Sequence, residues 1–273
     1  IPDSEIYYGP IQTYECSSGY DVNCDGYGDI ILQARGVNDG REMYFHDIIL
    51  GGSPMDTLPA LRIWEGDFPS EDPRGGNVRM RQGFSLLPDL NGDGYDDWGI
   101  WWYDSWDGGF DDGIFVFYGG EELDCEPDLN LEGHRRLWVE KGHLTGGDFN
   151  GDGFGDVAAV YWDAGPDMGE LHLHFGGRWM DSESDIFINS ESDYNGRYFR
   201  TGDPIGAVGD YNGDGIDDIV VYVRTRVDGP RIIIFAGNQD WEVGVVPDII
   251  PTEYDLLLMA YPNPFNGKTK LDF

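Results

Sequence analysis

DFNGDGFGD, residues Asp148–Asp156, decides the reading of this chain, because its pattern occurs three more times. The others are DVNCDGYGD (Asp21–Asp29), DLNGDGYDD (Asp89–Asp97) and DYNGDGIDD (Asp210–Asp218). All four read D-x-N-x-D-G-x-x-D. Side-chain oxygens at positions 1, 3, 5 and 9, with a main-chain carbonyl at position 7, form the hard-oxygen donor set that Ca²⁺ takes in a tight loop. Glycine at position 6 lets the chain turn sharply enough to gather those oxygens. A single Asp/Asn/Gly cluster is an ordinary turn as often as a ligand loop. Four copies with one ligand pattern point to four calcium sites.

The candidate ligands are therefore Asp21, Asn23, Asp25, Tyr27 and Asp29; Asp89, Asn91, Asp93, Tyr95 and Asp97; Asp148, Asn150, Asp152, Phe154 and Asp156; and Asp210, Asn212, Asp214, Ile216 and Asp218. Tyr27, Tyr95, Phe154 and Ile216 would contribute through their main-chain oxygens. An EF-hand needs a bidentate Glu at position 12 and a helix on each side. Position 12 here is Leu32, Ile100, Ala159 or Val221. The residues that follow each loop (DIIL, DWGIWWY, DVAAVYW, DIVVYV) are β-branched and aromatic, so they predict strands apolar on both faces. The position-9 aspartate is then expected to supply the closing carboxylate of a loop that leads into a strand.

Charge narrows the partners. The 273 residues carry 17 Lys and Arg against 52 Asp and Glu, a net charge of −35. Phosphate binding needs a basic footprint, so nucleic acid and anionic membrane surfaces are excluded as partners. Hydrophobic content of 40% with 14% aromatics suffices for a core despite that acidity. No apolar run reaches the roughly 18–20 residues of a membrane span. Cys16 and Cys24 are close enough in sequence to pair, although spacing alone does not establish disulfide geometry.

The repeat extends beyond the loops. About 20 residues after each loop an apolar strand ends in Gly-Gly or a near match: DIILGG, IFVFYGG, LHLHFGG and RIIIFAGN. The loops start at 21, 89, 148 and 210, giving spacings of 68, 59 and 62 residues. Each unit holds four candidate strands, which predicts an all-β fold of four-stranded antiparallel sheets. Such sheets must stack to cover their faces, and radial stacking gives a β-propeller. The strand after each loop is the most apolar, which suits an inner strand squeezed between adjacent blades. Trp98, Trp101 and Trp102 are read as packing between blades, with an aromatic sugar platform as the alternative. The units run at about 21–88, 89–147, 148–209 and 210–250, within a repeat region of 1–250.

Together, D-x-N-G-D-G-x-x-D and the following Gly-Gly strand end resemble the FG-GAP (integrin α-type, VCBS-like) propeller repeat. That resemblance implies Ca²⁺ in the loops at the positions named above, and a ring that usually has seven blades. Only four loops are present, and Ile6–Gly9 looks like the end of a preceding unit. Residues 251–273 form a linker and the truncated start of another domain: the stretch from Ala260 to Asn266 (AYPNPFN) resembles the opening of the C-terminal sorting domain of the type IX secretion system. This implies a secreted or surface-held bacterial protein and an encounter with that secretion machinery.

No nucleophile, metallohydrolase or nucleotide-binding motif is present. His172 and His174 share one face of a strand, with packing favoured over metal ligation. The expected function is a non-catalytic, extracellular, calcium-binding module for adhesion or for an unidentified protein or glycan ligand. The alternatives are a glycan-active enzyme, lyase or hydrolase, on the same scaffold, and a spacer fused to a catalytic domain.

Overall fold

Ile30, Ile31 and Leu32, directly after the first loop, open a strand with buried side chains on both faces, and the strands after the second and third loops do the same, while after the fourth loop Ile219 and Val221 are buried on one face. The computed structural model describes residues 12–54, 57–68, 78–80, 83–106, 109–132, 143–163, 168–189, 197–198, 205–225, 231–239, 241 and 257–260. Among these residues there is no α-helix. They form seventeen strands and one 3₁₀ turn, and no helix is long and apolar enough to cross a membrane. The motif at Ile6–Gly9 and most of the Ala260–Asn266 stretch lie outside the described residues.

The strands make four separate sheets. The first runs β1 (Gln12–Ser18), β2 (Ile30–Asn38), β3 (Arg41–Ile49), β4 (Leu61–Trp64), and the turn Glu65–Asp67 follows it. The second runs β5 (Phe84–Leu87), β6 (Asp97–Trp106), β7 (Gly109–Phe117), β8 (Leu129–Glu132). The third is β9 (His143–Gly147), β10 (Asp156–Asp163), β11 (Met168–His174), β12 (Ile186–Asn189). These three are antiparallel throughout, with consecutive strands adjacent. In the fourth, β13 (Arg197–Tyr198) and β14 (Ile205–Gly209) both pair with β15 (Asp218–Thr225). There β15 pairs antiparallel with β16 (Arg231–Ala236), and β17 (Leu257–Ala260) adds in parallel.

Each of the first three sheets starts one strand before its loop, and in the fourth β14 holds that place, so every loop joins the strand before it to the adjacent strand after it. The strands before the loops, β1, β5, β9 and β14, lie side by side in that order. The strand after each loop is therefore an inner strand, hydrogen-bonded on both edges, as its apolar character suggests. For β6 and β10 the hydrophobicity matches a sheet stacked on each face.

The core consists of the three interfaces between successive sheets and a smaller cluster of Leu32, Ala34, Phe45 and Ile49 on the other face of the first sheet. Val22, Ile31, Ile48 and Ile63 meet Trp98, Ile100 and Phe117. Trp101, Ile114, Val116 and Leu131 meet Leu144, Val157, Ala159 and Tyr161. Ala158, Val160, Leu171 and Leu173 meet Ile219, Val221 and Phe235. Because side chains alternate along a strand, Trp98 and Trp101 on β6 serve opposite interfaces. Trp98 stacks on Phe117 at 5.4 Å, and Trp101 meets Tyr161 edge-on at 5.7 Å. Trp102 stacks on Phe115, and its indole N–H donates to Asn130 Oδ1 at 2.8 Å. All three tryptophans are structural, as expected. Cys16, Cys24 and Cys125 are free and exposed, so the structure contains no Cys16–Cys24 bridge.

Candidate metal sites at the sheet corners

Each nonapeptide folds on its own aspartates. The position-1 carboxylate accepts the N–H groups of residues 5 and 6: Asp21 from Asp25 and Gly26 (3.1 and 2.7 Å), Asp89 from Asp93 and Gly94 (3.2 and 2.8 Å). Asp148 takes them from Asp152 and Gly153 (3.1 and 3.0 Å), and Asp210 from Asp214 and Gly215 (2.9 and 2.9 Å). The Asn oxygen at position 3 accepts the N–H of residue 5, in Asn23, Asn91, Asn150 and Asn212 alike. The Asp at position 5 accepts the N–H of Tyr27, Tyr95, Phe154 or Ile216. These are nested side-chain turns, and they curl oxygens 1, 3 and 5 around one loop. Gly26, Gly94, Gly153 and Gly215 sit at φ of 89°, 96°, 89° and 91°, a conformation that strains any residue with a Cβ.

Position 9 has a second occupation that spacing did not disclose. Asp29, Asp97, Asp156 and Asp218 are fully buried, and both oxygens of each take backbone N–H groups. One donor is the residue at position 2 of the same loop: Val22, Leu90, Phe149 or Tyr211, at 2.7–2.9 Å. The other is the first residue of the Gly-Gly pair: Gly51, Gly119, Gly176 or Gly237, at 2.7–3.0 Å. The carboxylate thus staples the start of the loop to the far end of the hairpin that follows. This explains why the two motifs recur together. A Cβ on Gly119 would strike the carbonyl oxygens of Asp96 and Val22, and one on Gly176 those of Gly155 and Leu90.

The loops are also chained to one another. The N–H of position 8 donates to the position-1 carbonyl of the preceding loop: Asp96 to Asp21 (3.2 Å), Gly155 to Asp89 (2.7 Å), Asp217 to Asp148 (3.0 Å). The residue after the first glycine donates to the preceding position-2 carbonyl: Gly120 to Val22 (2.9 Å), Gly177 to Leu90 (2.7 Å), Asn238 to Phe149 (2.9 Å). Where position 8 is aspartate, its side chain adds to the joint. Asp96 accepts from Asp21 N (2.8 Å) and Asp89 N (3.1 Å), and Asp217 from Asp148 N (3.1 Å). Position-7 side chains cover the preceding loop: Phe154 lies over Gly92, and Ile216 over Gly151.

Burial and crowding raise the acids at these corners. Burial pushes the Asp97 carboxyl up to about 8, against the pull of its two N–H donors, with Asp89 and Asp93 adding to the rise. Asp156 is pushed up to about 7 for the same reasons, with Asp152 and Asp148 adding. Asp29, Asp96 and Asp218 are raised as well, again chiefly by burial. A bound cation at such corners would favour the charged forms.

The donor chemistry fits calcium: oxygens only, in a loop, with lone pairs left beyond the N–H bonds. Among the described residues, no three His, Cys, Asp or Glu side chains stand close enough together to hold one ion. Oxygens 1, 3 and 5 share a loop, while position 9 is held back by its staple.

The remaining polar groups are packing. Burial lowers His46 to about 3, and Gln33 Nε2 lies 3.2 Å from its Nε2. His174 is likewise lowered to about 3, mainly by burial and then by His172, and its Nδ1 lies 3.2 Å from the Glu183 carbonyl. His172 pairs with Glu170 at 3.3 Å and meets Tyr161 edge-on. The gap lined by Trp101, Ile114, His143, Leu144, Ala159, Val160 and Tyr161 has no room for a water molecule.

No family model matches this chain, and no curated protein matches it. Among solved structures it is similar to the crystal structure of the rhamnogalacturonan lyase YesW, with 13% identity and a TM-score of 0.47. The match covers 80% of this chain and 41% of that one.

Proposed function

We propose that this chain is a calcium-binding repeat scaffold of the β-propeller kind, its four sheets being successive blades, and that it serves outside the cell as a non-catalytic binding or adhesion module. One observation carries this reading: four loops of a single hydrogen-bonded geometry stand at equivalent corners of four stacked sheets. Asp21, Asn23 and Asp25, with their counterparts in the other loops, would hold Ca²⁺ together with the carbonyl of position 7. Bound there, calcium supplies the positive charge that three carboxylates per loop lack. Millimolar extracellular calcium would fill even sites of the weak extracellular class. The resemblance of Ala260–Asn266 to a type IX sorting signal supports export to the cell surface.

A partner, protein or glycan, would meet the loop side of the sheets. Trp179, two residues after the third Gly-Gly pair, is 92% exposed there. An aromatic ring held in solvent offers a flat apolar face to a sugar ring or to an apolar side chain.

Isothermal titration of the chelator-stripped chain with CaCl₂ tests the metal. Binding of about four ions is expected, with a melting temperature several degrees higher in calcium than in EDTA. At 100 times Kd, each filled site adds about 2.7 kcal/mol. Absence of binding heat, with identical melting in both buffers, overturns the reading. A glycan and protein array probed with wild type and Trp179→Ala tests the binding face.

A further inference from the structure

Three of the four loops place glycine directly after the position-3 asparagine: Asn91–Gly92, Asn150–Gly151 and Asn212–Gly213. In the first loop Cys24 takes that place. Asparagine before glycine is open to self-attack, because the next main-chain nitrogen can reach the side-chain Cγ and glycine has no side chain to hinder it. All six residues are half-buried or exposed, so water reaches them. Yet each pair is held in a form that cannot react. The Gly92 N–H donates to Asp89 Oδ1 at 2.6 Å, Gly151 to Asp148 Oδ1 at 2.7 Å and Gly213 to Asp210 Oδ1 at 2.6 Å. Attack requires that nitrogen to lose its proton, and a carboxylate against it opposes a second negative charge there. The asparagine is tied as well. Asn91 Oδ1 accepts the Asp93 N–H at 2.8 Å, and its Nδ2 donates to Asp93 Oδ2 at 2.9 Å. Asn150 does the same with Asp152 at 2.9 and 3.0 Å. Asn212 takes the Asp214 N–H at 2.8 Å and donates to Asp218 Oδ1 at 3.3 Å. Turning Cγ onto the glycine nitrogen breaks these bonds.

We propose that Asn91, Asn150 and Asn212 are sites of spontaneous deamidation, which the closed loop suppresses and loop opening releases. The glycine nitrogen bonds to the asparagine Cγ as the Cγ–Nδ2 bond breaks. The glycine proton leaves with the amide group as ammonia, and a succinimide ring remains. Water then opens either C–N bond of that ring, giving aspartate or isoaspartate. Aspartate adds a carboxylate to a loop that already carries at least three, which raises the repulsion among them. Isoaspartate runs the main chain through Cβ, and so lengthens it between the position-1 carboxylate and the N–H groups of positions 5 and 6 that it holds. A loop that has once opened for long enough is therefore marked chemically and cannot close as before. The inference rests on the hydrogen bonds of the loops and not on bound calcium.

The test is peptide mapping by mass spectrometry of the whole chain, incubated in EDTA at mildly alkaline pH, folded in one sample and unfolded in urea in the other. In urea, conversion is expected at Asn91, Asn150 and Asn212, with Asn23 much slower because Cys24 follows it. In the folded chain each of the three should convert at least about tenfold more slowly than in urea, the factor expected where a hydrogen bond to a charged group must break first. Asp89→Ala should raise the folded rate at Asn91 towards its rate in urea, while Asn150 in the same molecule stays slow. Asp89→Asn keeps an acceptor oxygen but loses the charge, and it should give a smaller rise at Asn91, which serves if the alanine variant does not fold. Equal rates in the folded and unfolded chains overturn the proposal, and so does an unchanged rate at Asn91 in both variants. A further folded sample in CaCl₂ reads the metal separately: slower conversion there supports calcium in the loops, and unchanged conversion counts against calcium alone.

Discussion

Asp96 Oδ2 accepts the backbone N–H of Asp21 at 2.8 Å, tying the second sheet to the loop of the first across 75 residues of chain. The other oxygen of the same carboxylate holds the N–H of Asp89, so one side chain spans two loops. Asp217 repeats half of this at the third and fourth loops. Joints of this kind make the loops one connected edge, and several consequences can be measured.

Asp97→Ala should destabilise the protein even with calcium removed. The substitution orphans the N–H groups of Leu90 and Gly119, both held by the buried carboxylate. Each unmade bond of that kind costs about 1–3 kcal/mol. Chemical denaturation in EDTA should show a loss of about 2–5 kcal/mol, whereas Asp93→Ala, whose side chain is exposed, should lower stability mainly in calcium.

Gly119→Ala should be worse than Gly94→Ala. The new methyl group at 119 runs into the backbone carbonyls of Asp96 and Val22, which cannot retreat without opening the joint between sheets. At 94 there is open space, and only the positive φ is strained, at roughly 1–2 kcal/mol. Urea midpoints of the two variants check the order.

Trp98→Ala removes the largest fully buried side chain, which fills the interface of the first two sheets. A loss of about 3–5 kcal/mol is expected. Trp179→Ala should change stability by less than about 0.5 kcal/mol, because nothing is packed on that ring.

Without metal, stability should fall as pH rises. Asp97 and Asp156 have folded values of about 8 and about 7, above the ordinary carboxylate value of 3.8. A raised carboxylate favours the folded state while it is protonated there, and that advantage is lost as pH climbs through the folded value. In EDTA the melting temperature should therefore be higher at pH 5 than at pH 8.5. Saturating calcium competes with those protons, so its stabilising increment should grow over the same interval. Thermal melts at both pH values, with and without calcium, measure both trends.

The sequence by itself determined the loops, the strands after them and the all-β class. Each depends on chemistry within a few residues: a glycine at positive φ, aspartates capping nearby N–H groups, apolar runs long enough for a strand. The alternation of Gly28, Asp96, Gly155 and Asp217 at position 8 was also visible in the sequence. Its meaning was not, because the N–H that Asp96 accepts belongs to another sheet. Tertiary structure alone decided that the strand before each loop lines the row, that position 9 is stapled to a glycine about 20 residues on, and that His46, His172 and His174 are buried in the sheets. Those outcomes depend on which sheet faces which, and local preference carries no information about a neighbour 60 or more residues away.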